Sequence, residues 1–164
     1  MPLLGINAKV YWLDDVRASW GTLNTDTGSV EGPAPVLVEF TQVKDVKYNM
    51  EKGTADVTNR GNGGWTATAT VLKDASVDLT ATYNPADDTD GIMAALIGAA
   101  LNNTTIPIAI LDGDAATVGT QGLWSDFQVT KYDKDEPLIA GQLITFNLKT
   151  GNTSVAPEWV TVTL

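Results

Sequence analysis

The sequence contains no cysteine and no histidine. The first absence excludes disulfide frameworks and thiolate metal sites, and leaves cysteine silent about redox compartment. The second removes the commonest general base and the commonest metal ligand. Carboxylates, serine and lysine remain, but no pattern among them nominates a catalytic residue, a metal site or a cofactor. Positive charge is also scarce. Ten basic residues face twenty acidic ones, a formal charge of −10, so the average field repels nucleic acid and argues against a protein that grips DNA. Long hydrophobic runs are missing as well: the longest, 92–101, includes Gly98 and four alanines and is too short to span a bilayer. The first twelve residues show no basic leader and no small-residue cleavage site. The expectation is a soluble protein made in a cytoplasm, with no membrane partner.

What is present is a chain of 164 residues, enough for one domain, 1–164, that buries a core without disulfides or metal. No internal repeat or domain boundary is visible. Most of the chain carries strand signals. Ile6, Ala8, Val10 and Trp12 alternate in a first strand, 6–13; Val77, Leu79, Ala81 and Tyr83 alternate with Ser76, Asp78, Thr80 and Thr82. The pattern predicts strands over 36–48 and 64–72, then a turn at Lys73-Asp74 into a strand over 75–83. Another hairpin is predicted from 122–132 and 142–149, and a terminal strand over 158–164. Thr105 to Leu111 reads as a buried strand, with Pro107 placing it at an edge or a strand start, because proline cannot donate to a ladder. Between 14 and 35 the chain is loose, with one short strand near 18–23.

One helix is expected, from about Asp90 to Asn102. Ile92, Ala95, Leu96, Ala99 and Ala100 repeat at helical spacing, and Asp88, Thr89 or Asp90 supplies a side-chain cap. A helix so poor in charge is covered on more than one side, in a monomer by a sheet beneath and a loop above, in an oligomer by a neighbour as the second cover. One helix among about seven or more strands gives a mainly β fold, a β-sandwich or barrel with one flanking α-helix.

The longest polar stretch, 51–64, sits between strand patterns as an oversized hairpin tip. Loops beyond about 12 residues are functional or disordered more often than ordinary connections. This one mixes Lys52 and Arg60 with Glu51 and Asp56, adds apolar Val57, and runs into Trp65. Such content is more than a flexible linker needs, so these six residues are the candidate docking loop.

Other chemistry is weaker. Asp87, Asp88, Asp90, Asp112 and Asp114 lack the spacing of a calcium loop, and ordinary turns and caps explain them better. Five tryptophans invite a sugar-stacking reading, but tryptophans in strands are mainly core or interface residues. Arg60-Gly-Asn-Gly-Gly lacks the lysine and hydroxyl residue of a phosphate loop and precedes a strand, where that motif needs a helix.

The order of Lys52-Gly-Thr-Ala-Asp-Val-Thr-Asn-Arg-Gly-Asn-Gly-Gly-Trp65, a strand, Leu72-Lys-Asp-Ala-Ser-Val-Asp78, an acidic turn and an alanine-rich helix resembles bacteriophage tail tube proteins. Gly5-Ile-Asn-Ala-Lys-Val-Tyr11 is similar to their first strand. The resemblance is fullest over 36–111. It implies the fold shared with type VI secretion tubes, hexameric rings, and stacking into a hollow virion tail through which DNA passes without specific binding. Its partners are then other copies and other tail proteins, and assembly takes place in the host cytoplasm. The inter-ring contact falls on Glu51, Lys52, Asp56, Val57, Arg60 and Trp65; which acids face the lumen is left open. Two alternatives stand beside it: a monomeric carbohydrate-binding sandwich, and a tail terminator of the same fold.

Overall fold

The computed structural model describes residues 8–13, 23–24, 29–30, 37–59, 61, 63, 65–84, 86, 88, 91–136, 141–151 and 157–162. Its strands are β1 (Lys9–Leu13), β2 (Leu23–Asn24), β3 (Ser29–Val30), β4 (Leu37–Glu39), β5 (Val43–Asp56) and β6 (Thr68–Thr82). The helix α1 (Ile92–Asn102) follows, then β7 (Thr105–Leu111), β8 (Gln121–Asp135), β9 (Leu143–Thr150) and β10 (Glu158–Thr161). Eight strands form one antiparallel sheet in the order β4-β1-β7-β8-β9-β6-β5, with β10 on β8. β2 and β3 make a separate two-stranded pair inside the loose region. The short strand expected over 18–23 lies outside the described residues except for Leu23.

The sheet rolls up on itself. Its two end strands, β4 and β5, are joined by only Phe40, Thr41 and Gln42. The Phe40 amide donates to Val10 at 2.7 Å and the Thr82 amide to Gln42 at 3.0 Å, so this corner ties one margin of the sheet to the other. β8 is the common spine: Gln121–Trp124 pair with β10, and Phe127–Asp135 pair with β9 along the same side. The expected sandwich or barrel with one flanking helix is the observed architecture.

Alternation explains the core. Ala75, Val77, Leu79 and Ala81 of β6 and Ile144, Phe146 and Leu148 of β9 point inward and are buried. They meet Ile106, Ile108 and Ile110 of β7, Leu123 and Phe127 of β8, and Val10 of β1. β7 and the first half of β8 are buried on both faces. Tyr11, Ala109, Leu111 and Trp124 form a smaller cluster behind them, closed by Ala115 of the 112–120 loop. Gly122 allows this close packing. A Cβ there would lie 1.9 Å from the Ile110 carbonyl oxygen.

α1 lays Ile92, Met93, Leu96 and Ala99 on the core. It begins two residues later than expected because Gly91 adopts a left-handed conformation, φ 73°. The Asp88 carboxylate then accepts the Met93 and Ala94 amides at 3.0 and 3.1 Å, one oxygen each. That is the side-chain cap predicted at 88–90; Thr89 and Asp90 lie outside the described residues. At the far end Asn103 turns left-handed, φ 53°.

Two expectations are corrected. Lys73-Asp74 is not a turn: β6 runs unbroken from Thr68 to Thr82 and pairs with β5 over nearly its whole length. The loop expected over 51–64 is strand through Asp56. Of the two places expected for Pro107, an edge or a strand start, the second holds, since β7 lies between β1 and β8. Pro107 sits near its start, beyond the last β1 pair, Trp12 with Ile108, so its missing N–H costs that ladder nothing.

Candidate functional site: the projecting hairpin arm

From Asn49 outward on β5 the described residues leave the core, and with the matching part of β6 they form a two-stranded arm. The ladder continues through Glu51↔Asp74 and Lys52↔Lys73, breaks register once, and resumes as Thr54↔Thr70, Ala55↔Ala69 and Asp56↔Thr68. Two like-charged pairs thus face each other at the root, beside the irregularity. Directly opposed like charges destabilise a ladder, and a bulge relaxes the pairing while bending the strand.

Beyond the root the arm is amphipathic. Thr54, Asp56 and Thr68 occupy one face. Ala55 and Ala69 share the other, which Val57 and Ala67 continue through a 2.9 Å bond from the Val57 amide to the Ala67 carbonyl. Val57 is 49% exposed and Trp65 81%. An apolar face is thus carried into water on a thin hairpin, and two isolated strands are marginal by themselves.

Local hydrogen bonds order the tip. Asp56 Oδ1 accepts both the Thr58 hydroxyl and, at 2.8 Å, the Thr58 amide. The same hydroxyl oxygen accepts the Ala67 amide at 2.9 Å across the turn, and Asn59 Oδ1 accepts the Gly61 amide at 2.8 Å. These are side-chain turns that replace missing ladder bonds. The Thr58 hydroxyl, followed by its amide, holds the Asp56 carboxyl below the usual carboxylate range.

Of the sequence-predicted residues, the structure brings Glu51, Lys52, Asp56, Val57 and Trp65 together on this arm, all exposed; Arg60 lies outside the described residues. Sequence reasoning missed Lys73 and Asp74, which stand opposite Lys52 and Glu51. It also missed Tyr48 and Met50, which continue the inward face of β5 past the core; Tyr48 meets the Trp159 ring with centroids 6.3 Å apart. The alternation Val46, Tyr48, Met50 was the available signal.

The outer face of the β5-β6-β9-β8 sheet, opposite Leu79 and Phe146, is largely polar, with Leu143 at one end. Asp45, Glu51, Asp74, Asp78, Asp133 and Asp135 lie on it with Lys47, Lys131 and Lys149. Lys149 approaches Asp74 at 3.4 Å, Lys131 pairs with Asp133, and Asn147 donates to Asp78. Acids remain in excess.

Asp112, Asp114 and Glu39 serve the fold. Asp112 accepts the Gln121 amide at 2.7 Å, and Asp114 accepts the Ala116 amide at 2.9 Å and pairs with Lys9 at 2.9 Å. Lys9 also reaches Glu39 at 3.0 Å, and these two partners, Asp114 first, raise it above the usual lysine range. Among the described residues no group of three acids could hold a metal ion, and no helix is long and apolar enough to cross a membrane. Among the described residues the tryptophans form no stacking platform: Trp124 is buried, Trp12 half-buried, and Trp65 and Trp159 lie far apart in the chain; Trp20 is outside the described residues.

No protein-family model and no curated protein matches the sequence. Solved structures do match the fold. A chain from the tail of an empty gene transfer agent particle, determined with C6 symmetry, superposes with a TM-score of 0.64 at 14% identity, over 96% of this chain and 98% of that one. A chain of the SPP1 tail tube gives 0.63 at 11% identity, over 99% and 81%. One from the six-fold symmetrised baseplate of the anti-feeding prophage gives 0.53 at 12% identity, over 100% and 99%. The rolled antiparallel sheet with its single helix is the fold found in these tail structures, matched over nearly the full chain.

Proposed function

We propose that this chain is a structural, non-enzymatic subunit of a phage-like tail. Six copies close into a ring, and rings stack into a hollow tube through which DNA passes. The observation that carries the reading is the arm, whose apolar face and exposed Trp65 are held out in water by an ordered tip. Glu51, Lys52, Asp56, Val57, Arg60 and Trp65 dock on the neighbouring ring. Support for the six-fold arrangement comes from the C6 symmetry of a tail of the same fold. The whole chain acts as one unit, 1–164, beside other tail proteins in a virion assembled in its host's cytoplasm.

The sheet face with excess acid suits a channel wall. Repeated around a lumen, it repels the DNA phosphates, so the genome slides and does not adhere. Among the described residues β5 (fourteen residues) ends the sheet path and pairs with no strand but β6, and pairing between subunits uses such an edge where a monomer has to protect it. Electron microscopy at rising protein concentration tests the proposal. Rings or tubes about 100 Å wide are expected from a few small domains around a channel, and a persistent monomer overturns it. The likeness to a baseplate chain favours a second reading, a component at the end of a tube; hexamers that never extend identify that role.

A further inference from the structure

The arm leaves the sheet at a defined point. β9 pairs with β6 only as far as Lys149↔Ser76, so from Ala75 outward, among the described residues, the hairpin of β5 and β6 pairs with no third strand. A two-stranded ribbon without lateral support is marginal and swings about its root. A tip that is to meet a partner binds best when its direction is already set.

The terminal strand reaches that point. β10 lies on β8 at Gln121–Trp124, along the side that β9 takes from Phe127 onward. Its Trp159 extends to Tyr48 of β5, with ring centroids 6.3 Å apart and planes inclined by 51°, the tilted arrangement that aromatic pairs favour. The indole is aimed by its own hydrogen bond: Trp159 Nε1 donates to Gln121 Oε1 at 3.2 Å. Tyr48 stands opposite the fully buried Val77, so the contact falls on the last stretch of β5 that the core still backs. The far end of β10 is fastened. Val162 is fully buried; its amide donates to the Thr120 carbonyl at 2.7 Å and its carbonyl accepts the Gly119 amide at 2.8 Å. That loop is tied in turn to β1, where the Tyr11 hydroxyl accepts the Ala115 amide at 3.1 Å.

We propose that β10 is a strap: the Tyr48–Trp159 contact fixes the direction in which the arm leaves the body and so preorganises the docking tip. Tyr48 is 43% exposed and Trp159 53%, so the two rings add little to the core, and their contribution is positional. Removing either ring leaves the ladder, the tip turn and the buried cluster in place and frees the arm at its root. The consequence for assembly rests on the docking reading; the strap itself belongs to the single subunit.

The test uses the absence of natural cysteine. Thr66→Cys on the arm and Asp135→Cys at the opposite end of β8, both exposed, carry a pair of spin labels whose distance distribution is read in dilute monomer. A single narrow distribution is expected with Tyr48 and Trp159 in place. Trp159→Ala and Tyr48→Ala should each widen it at least about twofold, the freedom of an unsupported two-stranded ribbon. The double variant should be no wider than either single one, because both remove the same contact. Tyr48→Phe keeps the ring and should stay narrow. Slow amide exchange at Leu79 in every variant shows that the body is folded. In assembly, Trp159→Ala should raise the concentration at which rings join at least about tenfold, with Tyr48→Phe unchanged. Widths like the parent's in either alanine variant, a double variant wider than both, or parent-like stacking of Trp159→Ala overturn the inference and leave the tube reading standing. Parent rings that never stack remove the docking reading, and the widths still decide the strap.

Discussion

Strands β5 and β6 pass through two environments along their own length. In the body, Val77, Leu79 and Ala81 are fully buried and the facing Val46 packs against the same core. In the arm the same ladder continues with solvent on both faces, held by backbone bonds and by the Asp56–Thr58–Ala67 turn. The body is stable because apolar area leaves water, at roughly 25 cal/mol per Å². The arm has no such source and sits at the low end of local stability, where surfaces that complete themselves on a partner are drawn from. One hairpin therefore divides the labour: its inner half builds the subunit, and its outer half presents the contact proposed above.

That division breaks most severely in the body. Phe146→Ala empties a fully buried site between β6 and β8 and should cost about 3–5 kcal/mol in urea unfolding, with arm substitutions leaving that value unmoved. Next in size is removal of the tip. Asp56 and Thr68 are cross-strand partners, so replacing 57–67 by Asn-Gly should close a tight hairpin; the subunit should melt as before, rings should persist, and stacking should fail. Normal tubes from this variant would sink the docking assignment. Trp65→Ala should leave unfolding within about 0.5 kcal/mol of the parent and weaken stacking by about 2 kcal/mol if the indole is a contact centre, read as a roughly thirtyfold rise in the concentration at which rings join. Asp88→Ala removes two amide acceptors from α1 and should lower stability by about 1 kcal/mol, without touching the arm.

The smallest effect is a titration. Asp56 is depressed by its Thr58 bonds, so the order it gives the tip is fully present above the ordinary carboxylate value near 3.8 and is lost as pH falls through the lowered one. Amide exchange at Thr58 should quicken in that acid window while exchange at Leu79 stays slow. Asp56→Asn should abolish the pH step.

The body was legible because burial writes period two into a strand. Val77-Leu79-Ala81 and Ile144-Phe146-Leu148 declare their faces, and the helical spacing from Ile92 declares α1. The arm was misread for the same reason in reverse. With water on both sides of Lys52 and Lys73, no face is selected, and Lys73-Asp74 in mid-strand looks like a turn while Glu51 to Asp56, broken by Gly53, looks like loop. The candidate docking residues were found through composition, since Val57 and Trp65 stand out in a polar segment. The sharing of one face by Ala55, Val57, Ala67 and Ala69 depends on a register that only pairing shows. Tyr48 and Trp159 meet across elements far apart in the chain, which no local pattern encodes.

The register shift between Lys52 and Thr54 marks where the arm begins, and from there its reach is counted in residues. Each pair added to both strands lengthens it by about 6.8 Å and returns every side chain to its own face. A single added residue turns Val57 and Ala55 toward the threonine side. Between that irregularity and the tip the chain therefore holds a ruler graduated in twos; with the arm docked between rings as proposed, their axial spacing should change in those steps or not at all.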